Sequence, residues 1–289
     1  MTIIYTLQDF TRVNFTMYKK IKKILLVSDK IDTIPKKLYS FTNIHTLYLT
    51  FNLIKEITSE IAQLVNLEYL YLSNNLIDFI DDGIKHLTKL QELEIVNNKL
   101  PDINFILENR LIVKLNFSLN KISQIPIQIS RLSNLQELYL SNNLISHIPS
   151  ELFNSQIKTL FLDNNLITSV PDTINKSKLK KLSLSNNLIS NLPETIYELT
   201  NLELFLHNNQ FTSLNKKIRL IKKSHISVST YQNINQLDSD TEYLQIDDLD
   251  VELTNLPYTL KEIRLYNPSI LNIKVPFGCV LFINNILSV

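Results

Sequence analysis

Apolar and polar residues along this chain follow a pattern that returns every 22 or 23 residues. The segment LQELYLSNNLISHIP, residues 135–149, shows the pattern most fully. Leu138 and Leu140 alternate with other residues, as expected for a short strand with one buried face. One copy is too small to bury that face alone. We therefore expect the copies to stack and their strands to form a continuous parallel sheet.

A polar residue occupies the same position in nine successive copies, and from the second copy onward it is asparagine. The nine residues are Asp29, Asn52, Asn75, Asn98, Asn120, Asn143, Asn165, Asn187 and Asn209. Apolar residues stand five and three positions before each of them. An amide buried among core positions needs hydrogen-bond partners, and the backbone of the turn that leaves the strand offers them. The eight asparagines are predicted to form a structural ladder.

The second half of each copy carries an apolar residue followed by proline. This pair occurs at Ile34-Pro35, Ile125-Pro126, Ile148-Pro149, Val170-Pro171 and Leu192-Pro193. Proline at the start of a turn, followed by apolar residues three apart, indicates a short helix or 3-10 turn on the outer face. Two copies depart from the pattern, at residues 101–109 and around Leu202. Both departures predict a local distortion of the stack.

The repeated motif L-x-x-L-x-L-x-x-N-x-L resembles that of the leucine-rich-repeat family. The outer I/L-P-x-x-I-x-x-L half is similar to the intracellular, Ras-group-like class of these repeats. The resemblance implies an α/β solenoid of horseshoe form. Its parallel β-sheet would line the concave face, and short helices, 3-10 turns or extended segments would form the convex face.

The pattern shortens after Leu214. Apolar pairs follow at steps of 18 or 19 residues, at Ile226/Val228, Leu244/Ile246, Ile263/Leu265 and Leu281/Ile283. These copies resemble bacterial effector-type leucine-rich repeats. We predict an N-terminal cap over 1–20, nine repeats over 21–214, and degenerate repeats with a C-terminal cap over 215–289. The last region either continues the same sheet, which we favour, or forms a separate small domain after a linker near 215–225.

Composition excludes several classes of function. Gly83 and Gly278 are the only glycines, too few for a phosphate-cradling loop. A net charge of +1 offers no global field to attract nucleic acid or an anionic membrane. Cys279 is the only cysteine, so no intrachain disulfide can form. With no signal-peptide pattern and no apolar run near the ~18 residues of a membrane span, we expect a reducing, cytoplasmic location.

Candidate chemistry is sparse, and no enzyme, cofactor or metal is predicted. The histidines are His45, His86, His147, His207 and His225, and none has zinc-ligand spacing. An acidic cluster at Asp247, Asp248, Asp250 and Glu252 lacks the EF-hand pattern. A basic run at Lys216, Lys217, Arg219, Lys222 and Lys223 lacks interleaved aromatic residues. Both clusters are interpreted as solvated faces and Cys279 as a structural thiol. Catalytic residues, if any, would have to lie in 215–289.

Specificity is expected on the concave strand surface, where the residues between the repeated leucines point outward. The candidate binding residues are Tyr48, Tyr69, Tyr71, Glu92, Glu94, Lys114, Tyr139, Phe161 and Phe205. Clustered aromatic side chains on a rigid sheet suit protein recognition. The alternative is that these rings only pack against their neighbours along the sheet.

These expectations describe a non-catalytic, monomeric protein that binds a protein partner and neither nucleic acid nor membrane. The alternative function is a substrate-selecting adaptor or regulatory subunit of a ligase or phosphatase complex, or a host-directed effector. An adaptor would need a docking element outside the repeats, and residues 1–20 are short for one.

Overall fold

A computed structural model of the chain describes residues 2–4, 6–221, 223–226, 230–247, 249–270 and 272–288. Its strands are β1 (Thr2–Ile4), β2 (Ile21–Leu25), β3 (Thr46–Tyr48), β4 (Glu56–Ile57), β5 (Tyr69–Tyr71), β6 (Phe79–Ile80), β7 (Glu92–Glu94), β8 (Lys114–Asn116), β9 (Glu137–Tyr139), β10 (Thr159–Phe161), β11 (Lys181–Ser183), β12 (Glu203–Phe205), β13 (Lys223–His225), β14 (Tyr243–Asp247), β15 (Glu262–Tyr266), β16 (Val280–Ile283) and β17 (Ile286–Leu287). Helix α1 spans Leu7–Arg12. Lys222, Val228 and Asp248, named above, lie outside the described residues.

The chain divides into two compact units. Unit 1 comprises Met1–Ile145 and Glu151–Thr159, and unit 2 comprises Ser146–Ser150 and Leu160–Val289. In unit 1 the main sheet runs in the order β1-β2-β3-β5-β7-β8-β9, and β4 pairs with β6 beside it. In unit 2 one run of strands has the order β10-β11-β12-β13, and a second sheet has the order β14-β15-β16-β17. Neighbouring strands from β1 to β9, from β11 to β13 and from β14 to β16 pair in parallel, as do β4 and β6, whereas β16 and β17 pair antiparallel.

Each three-residue strand of the repeats arises from the alternation in its sequence. In β9 the central Leu138 is fully buried, whereas Glu137 and Tyr139 are half-buried on the opposite face. Successive strands pair in register, so Leu115 of β8 lies beside Leu138. The leucines thus form one continuous core row within each unit, and the stacked parallel strands confirm the predicted solenoid fold.

The side of each repeat opposite the strands is built from 3-10 turns. These are Phe15–Lys20, Lys36–Ser40, Ser59–Gln63, Asp82–His86, Asn104–Ile106, Ile127–Arg131, Ser150–Asn154, Asp172–Lys176, Glu194–Glu198 and Lys216–Leu220. Proline starts several of them because its fixed φ suits the turn, as Pro126 does at φ −66°. Ile129 and Leu132 then enter the core.

The two predicted distortions have different outcomes. The irregular copy at 101–109 forms a turn of only three residues, Asn104–Ile106, where most other repeats form five. The shortened copy around Leu202 keeps its register, because Leu204 pairs directly with Leu182. The expectation of a distortion at this second copy was therefore wrong for the strands.

Residues near the N-terminus are fastened to the first repeat by one lysine. Nζ of Lys37 donates hydrogen bonds to the carbonyls of Phe10, Thr11 and Val13 at 2.9–3.0 Å. These carbonyls belong to the last turn and the C-cap of α1, where a cation is favourable. The ring of Phe10 is buried, with its centroid 5.5 Å from that of Phe41.

The strands after Leu214 differ from expectation in register. Leu204 of β12 pairs with Ser224 of β13, whereas the sequence pattern had aligned Ile226 with that row. The first sheet ends at β13, and β14 begins the separate second sheet. The favoured idea that one sheet continues to the C-terminus is thus wrong for the described residues. Ile226 and Asp247 still connect the sheets, because the Ile226 amide donates to the Asp247 carboxylate at 2.9 Å.

Candidate interaction surface

The ladder asparagines support the loops that follow the strands. Nδ2 of Asn143 donates to the carbonyl oxygens of Phe117 and Leu140, both at 3.0 Å. Its Oδ1 accepts from the backbone amide of Ile122 at 3.0 Å. Each side chain thus joins its own repeat to the preceding one. Equivalent bonds to the residue three positions earlier are made by Asn52, Asn75, Asn120, Asn165, Asn187 and Asn209.

The residue immediately before each ladder position has a left-handed backbone conformation. The residues concerned are Ser28, Phe51, Asn74, Asn97, Leu119, Asn142, Asn164, Asn186 and Asn208, with φ between 53° and 61°. Asparagine tolerates this conformation better than most residues. The sequence reasoning missed this role, although the repeated Asn-Asn pair carried the signal.

The strand surface of unit 1 begins with a pair of stacked tyrosines. Tyr48 and Tyr71 lie on neighbouring strands, with ring centroids 4.3 Å apart and an interplanar angle of 15°. Nζ of Lys23 lies 4.8 Å from the Tyr48 centroid, within cation–π range. Burial, followed by the charge of Glu92, raises the pKa of Tyr71, so its hydroxyl stays protonated and can donate. Tyr69, two residues before Tyr71 on β5, is half-buried on the same face.

Beside the tyrosines lies a compact charged network. Nζ of Lys114 contacts Oε1 of Glu92 at 2.8 Å and Oε1 of Glu94 at 2.7 Å. Burial opposes the charge on Lys114, but its hydrogen bonds to the two carboxylates outweigh this and raise the pKa. On the next strand, the hydroxyl of Tyr139 donates to Oε2 of Glu137 at 2.9 Å. The structure thus brings together the candidate residues of β7, β8 and β9 as an ordered polar strip.

The strand surface of unit 2 carries phenylalanines instead of tyrosines. Nζ of Lys181 lies 5.5 Å from the Phe161 centroid and 5.0 Å from that of Phe205. The imidazole of His225 stacks on Phe205 at 4.1 Å with an interplanar angle of 1°. Glu203 lies 3.7 Å from Lys181 and 3.6 Å from His225. Sequence reasoning did not place His225 here, because its misaligned strand hid the alternation.

The described residues offer little for catalysis or metal binding. No group of three or more His, Cys, Asp or Glu side chains among them is arranged to hold a metal ion. Cys279 is buried, and burial raises the pKa of its thiol, which disfavours the nucleophilic thiolate. No helix among the described residues combines the length and apolar character that crossing a membrane requires.

Stacked parallel strands, joined by buried asparagines and backed by 3-10 turns, define a repeat solenoid in which neighbouring copies stabilise one another. Comparison with known proteins identifies the repeats. Sequence models described as leucine rich repeat match residues 42–100 and 155–211, and a further one matches residues 134–155. The chain therefore contains leucine-rich repeats, which confirms the resemblance seen in the sequence. The Ras-group-like and effector-like subtypes stay predictions.

Solved structures show the same fold. A leucine-rich-repeat protein of Leptospira interrogans aligns with a TM-score of 0.69 at 27% identity, over 89% of this chain and 56% of that one. An internalin of Listeria monocytogenes aligns with a TM-score of 0.58 at 27% identity, over 64% and 54%. The plant peptide hormone receptor RGFR1, solved in complex with RGF2, is similar in fold alone, with a TM-score of 0.64, 20% identity and coverage of 88% and 46%.

The chain therefore spans about half the length of each of these solved structures. A search of curated protein sequences found no match.

Proposed function

We propose that this protein is a non-catalytic interaction protein that binds a protein partner through the strand surface of its leucine-rich repeats. One observation carries the proposal: the stacked Tyr48–Tyr71 pair lies beside the Lys114 network with Glu92 and Glu94. These half-buried side chains stand on hydrogen-bonded strands whose loops are held by buried asparagines.

The physical argument is preorganisation. A side chain already held in one conformation loses little entropy when a partner binds, so more of its contact energy contributes to affinity. Stacking on Tyr48 restricts Tyr71, and the two carboxylates restrict Lys114. Tyrosine adds a large contact area and a hydroxyl that can hydrogen-bond. The competing interpretation is that these contacts serve the sheet alone, since Lys23 already lies close to the ring of Tyr48.

The test compares a strand-surface variant with a matched surface variant. We expect Tyr71→Asp combined with Phe161→Asp to abolish capture of the partner from the native host, as measured by affinity purification and mass spectrometry. Thermal unfolding should be nearly unchanged, because both side chains are partly exposed.

Phe79→Asp is the control, because this ring is 55% exposed on β6 of the small β4–β6 sheet and away from the strand surface. It should retain every captured protein. An identical set of captured proteins for the double variant and the wild type would refute the proposal.

The second candidate function is that of a substrate-selecting adaptor or regulatory subunit of a ligase or phosphatase complex, or of a host-directed effector. It would use two docking elements, one of them outside the strand surface. The cap around α1, fastened by Lys37, is a candidate for that element. In the same purification, an adaptor should lose its substrate with Tyr71→Asp but keep the core subunits of the complex. Loss of both together favours the simple interaction protein.

We further propose a monomer in a reducing, cytoplasmic compartment. The single cysteine, Cys279, supports this because it is buried and has no second cysteine to pair with. Light scattering should give a mass close to 33.6 kDa. Fractionation of native cells should recover the protein with cytoplasmic markers.

A further inference from the structure

The strand surface of unit 1 has opposite charges at its two ends. The residues on either side of each central leucine or isoleucine are half-buried on this surface from β2 to β9. On β2 the charged one is Lys23, and those on β3 and β5 are uncharged. On β7, β8 and β9 they include three carboxylates and one lysine, at Glu92, Glu94, Glu137 and Lys114. The charge therefore changes sign along the sheet.

The lysine at the β2 end is not neutralised by a carboxylate. Nζ of Lys23 lies 4.8 Å from the centroid of the Tyr48 ring. Lys23 forms no ion pair with any of the described residues. The ring attracts the charge of the ammonium group, but its face offers no oxygen acceptor. The three N–H donors of Lys23 can therefore still bond a carboxylate of a partner.

The carboxylates at the other end outnumber their cation. Glu92 and Glu94 share the single ammonium group of Lys114, at 2.8 and 2.7 Å. Glu137 accepts a hydrogen bond from the hydroxyl of Tyr139 and forms no ion pair within the part of the chain that the structure describes. Burial, followed by this hydrogen bond, raises the pKa of Tyr139, so the phenol keeps its proton and the carboxylate keeps its charge. Three carboxylates and one ammonium group leave an excess of negative charge.

The distance between the two ends suits a short extended segment. Neighbouring strands of a sheet lie about 4.8 Å apart, so the five steps from β2 to β9 cover about 24 Å. An extended chain rises about 3.3 Å per residue, so about seven residues cover this span. Tyr48, Tyr69 and Tyr71 stand between the two ends on β3 and β5, where their rings can pack against such a segment.

We propose that the partner crosses the strands of unit 1 as an extended segment, with an acidic side chain at Lys23 and an arginine at Glu137. Charge complementarity carries the argument, because each end then receives the charge that it lacks. Arginine suits Glu137 better than lysine does, since its planar guanidinium can bond both oxygens of a carboxylate and stack on the ring of Tyr139. Nucleic acid does not fit, because its phosphates would meet the excess carboxylates of β7–β9. The inference rests on the proposed function, since it names the chemistry of the partner at the same surface.

The experiment is a ligand-observed NMR titration of the full chain with two designed peptides. They are acetyl-Asp-Ala-Ser-Ala-Ser-Ala-Ser-Arg-amide and the same peptide in reverse order, because the charges do not fix the direction of the segment. The order that binds more tightly is compared with two neutral variants of itself. Replacing its arginine with citrulline should weaken binding about tenfold, the effect of one charge-assisted hydrogen bond. Replacing its aspartate with asparagine should weaken binding about threefold, since an ion pair with a flexible, partly exposed lysine contributes less.

Variants of the protein assign each peptide charge to its strand. Glu137→Gln should reduce the preference for arginine over citrulline to less than about twofold and leave the preference for aspartate over asparagine. Lys23→Gln should do the opposite, whereas Lys23→Arg keeps the charge and should keep both preferences. Glu108→Gln is the control for Glu137→Gln, because Glu108 is an exposed carboxylate beyond the turn Asn104–Ile106. It should bind both peptides as the wild type does.

Three results would overturn the proposal. They are failure of both peptide orders to bind, equal binding of the arginine and citrulline peptides, and an arginine preference that survives Glu137→Gln. An aspartate preference that survives Lys23→Gln would reject the acidic end of the segment.

The failure of this inference can be told apart from that of the proposed function. Loss of the native partner by Tyr71→Asp with Phe161→Asp, together with no charge preference toward the peptides, would reject only the charged ends. Unchanged capture by that double variant would refute the proposed function itself.

Discussion

The repeats of the first sheet and the strands of the second sheet solve the same packing problem differently. In a first-sheet repeat such as that of β12, a buried leucine and a buried asparagine fill fixed positions, and the strand surface is ordered by contacts between repeats. In the second sheet β14, β15 and β16 have four or five residues, and none of the described asparagines of this region is buried. The polar residues there, such as Gln245 and Arg264, line a cavity instead. The buried apolar row continues in the second sheet as Leu244 and Ile263, but the buried asparagine does not.

The largest expected difference between the two regions concerns the central core position. Leu204→Ala should lower the free energy of unfolding by about 2–5 kcal/mol, because it leaves a cavity in a closed core. Ser224→Ala, at the paired position of β13, should cost only about 1 kcal/mol, mainly through its hydrogen bond with Gln245. Urea unfolding measures both. Equal losses would show that the core is as closed at β13 as at β12.

A smaller effect is expected for the asparagines. Asn143→Ala should cost roughly 1–3 kcal/mol, because the buried backbone groups bonded to its side chain lose their partner. Asn272→Ala, at an exposed asparagine beyond β15 that donates to Glu252, should change stability by less than about 0.5 kcal/mol. An unchanged melting temperature for Asn143→Ala would refute the structural role of the ladder.

The smallest effect concerns backbone conformation within the first-sheet repeats. Leu119 has a φ of 59° where most other repeats have asparagine. Leu119→Asn should raise stability by about 0.5–1 kcal/mol, since asparagine adopts this conformation at lower cost. Leu111→Asn is the matched control, because Leu111 is similarly exposed but does not have a positive φ. A gain of the same size in both variants would assign the effect to loss of exposed apolar surface.

The strands and the fold class followed from the sequence because their cause is local and repeated. The alternation around Leu138 and the recurrence of Asn143 appear within one copy and return in the next. The candidate residues of the strand surface followed from the same alternation, and the stacking of Tyr48 on Tyr71 arises from their equivalent positions in neighbouring copies. Their role in binding stays a prediction.

Contacts that join unlike segments could not be predicted. Lys37 reaches the carbonyls at the C-terminal end of α1 from 24 or more residues away, and no pattern relates those segments. A side chain at Gly83 would place its Cβ 2.6 Å from the backbone oxygen of Ser59, a constraint visible only in three dimensions. Arg219 and Glu262 are 43 residues apart in sequence, so the ion pair between them had no local signal.

The ladder also has a direction, which explains its first residue. The Nδ2 group of Asn52 donates backward, to the carbonyl of Leu26 in the preceding repeat, and its Oδ1 accepts from the amides of Asp29 and Ile31. The strand that precedes the repeat of Asp29 is β1 of the cap and not a repeat strand, so position 29 has no equivalent of the Leu26 carbonyl in an earlier repeat. The aspartate carboxylate has no N–H groups. The first repeat therefore has a hydrogen-bond acceptor where the later repeats have the amide of asparagine. The first repeat therefore differs chemically from those that follow it at the ladder position, and the two kinds of repeat are not interchangeable.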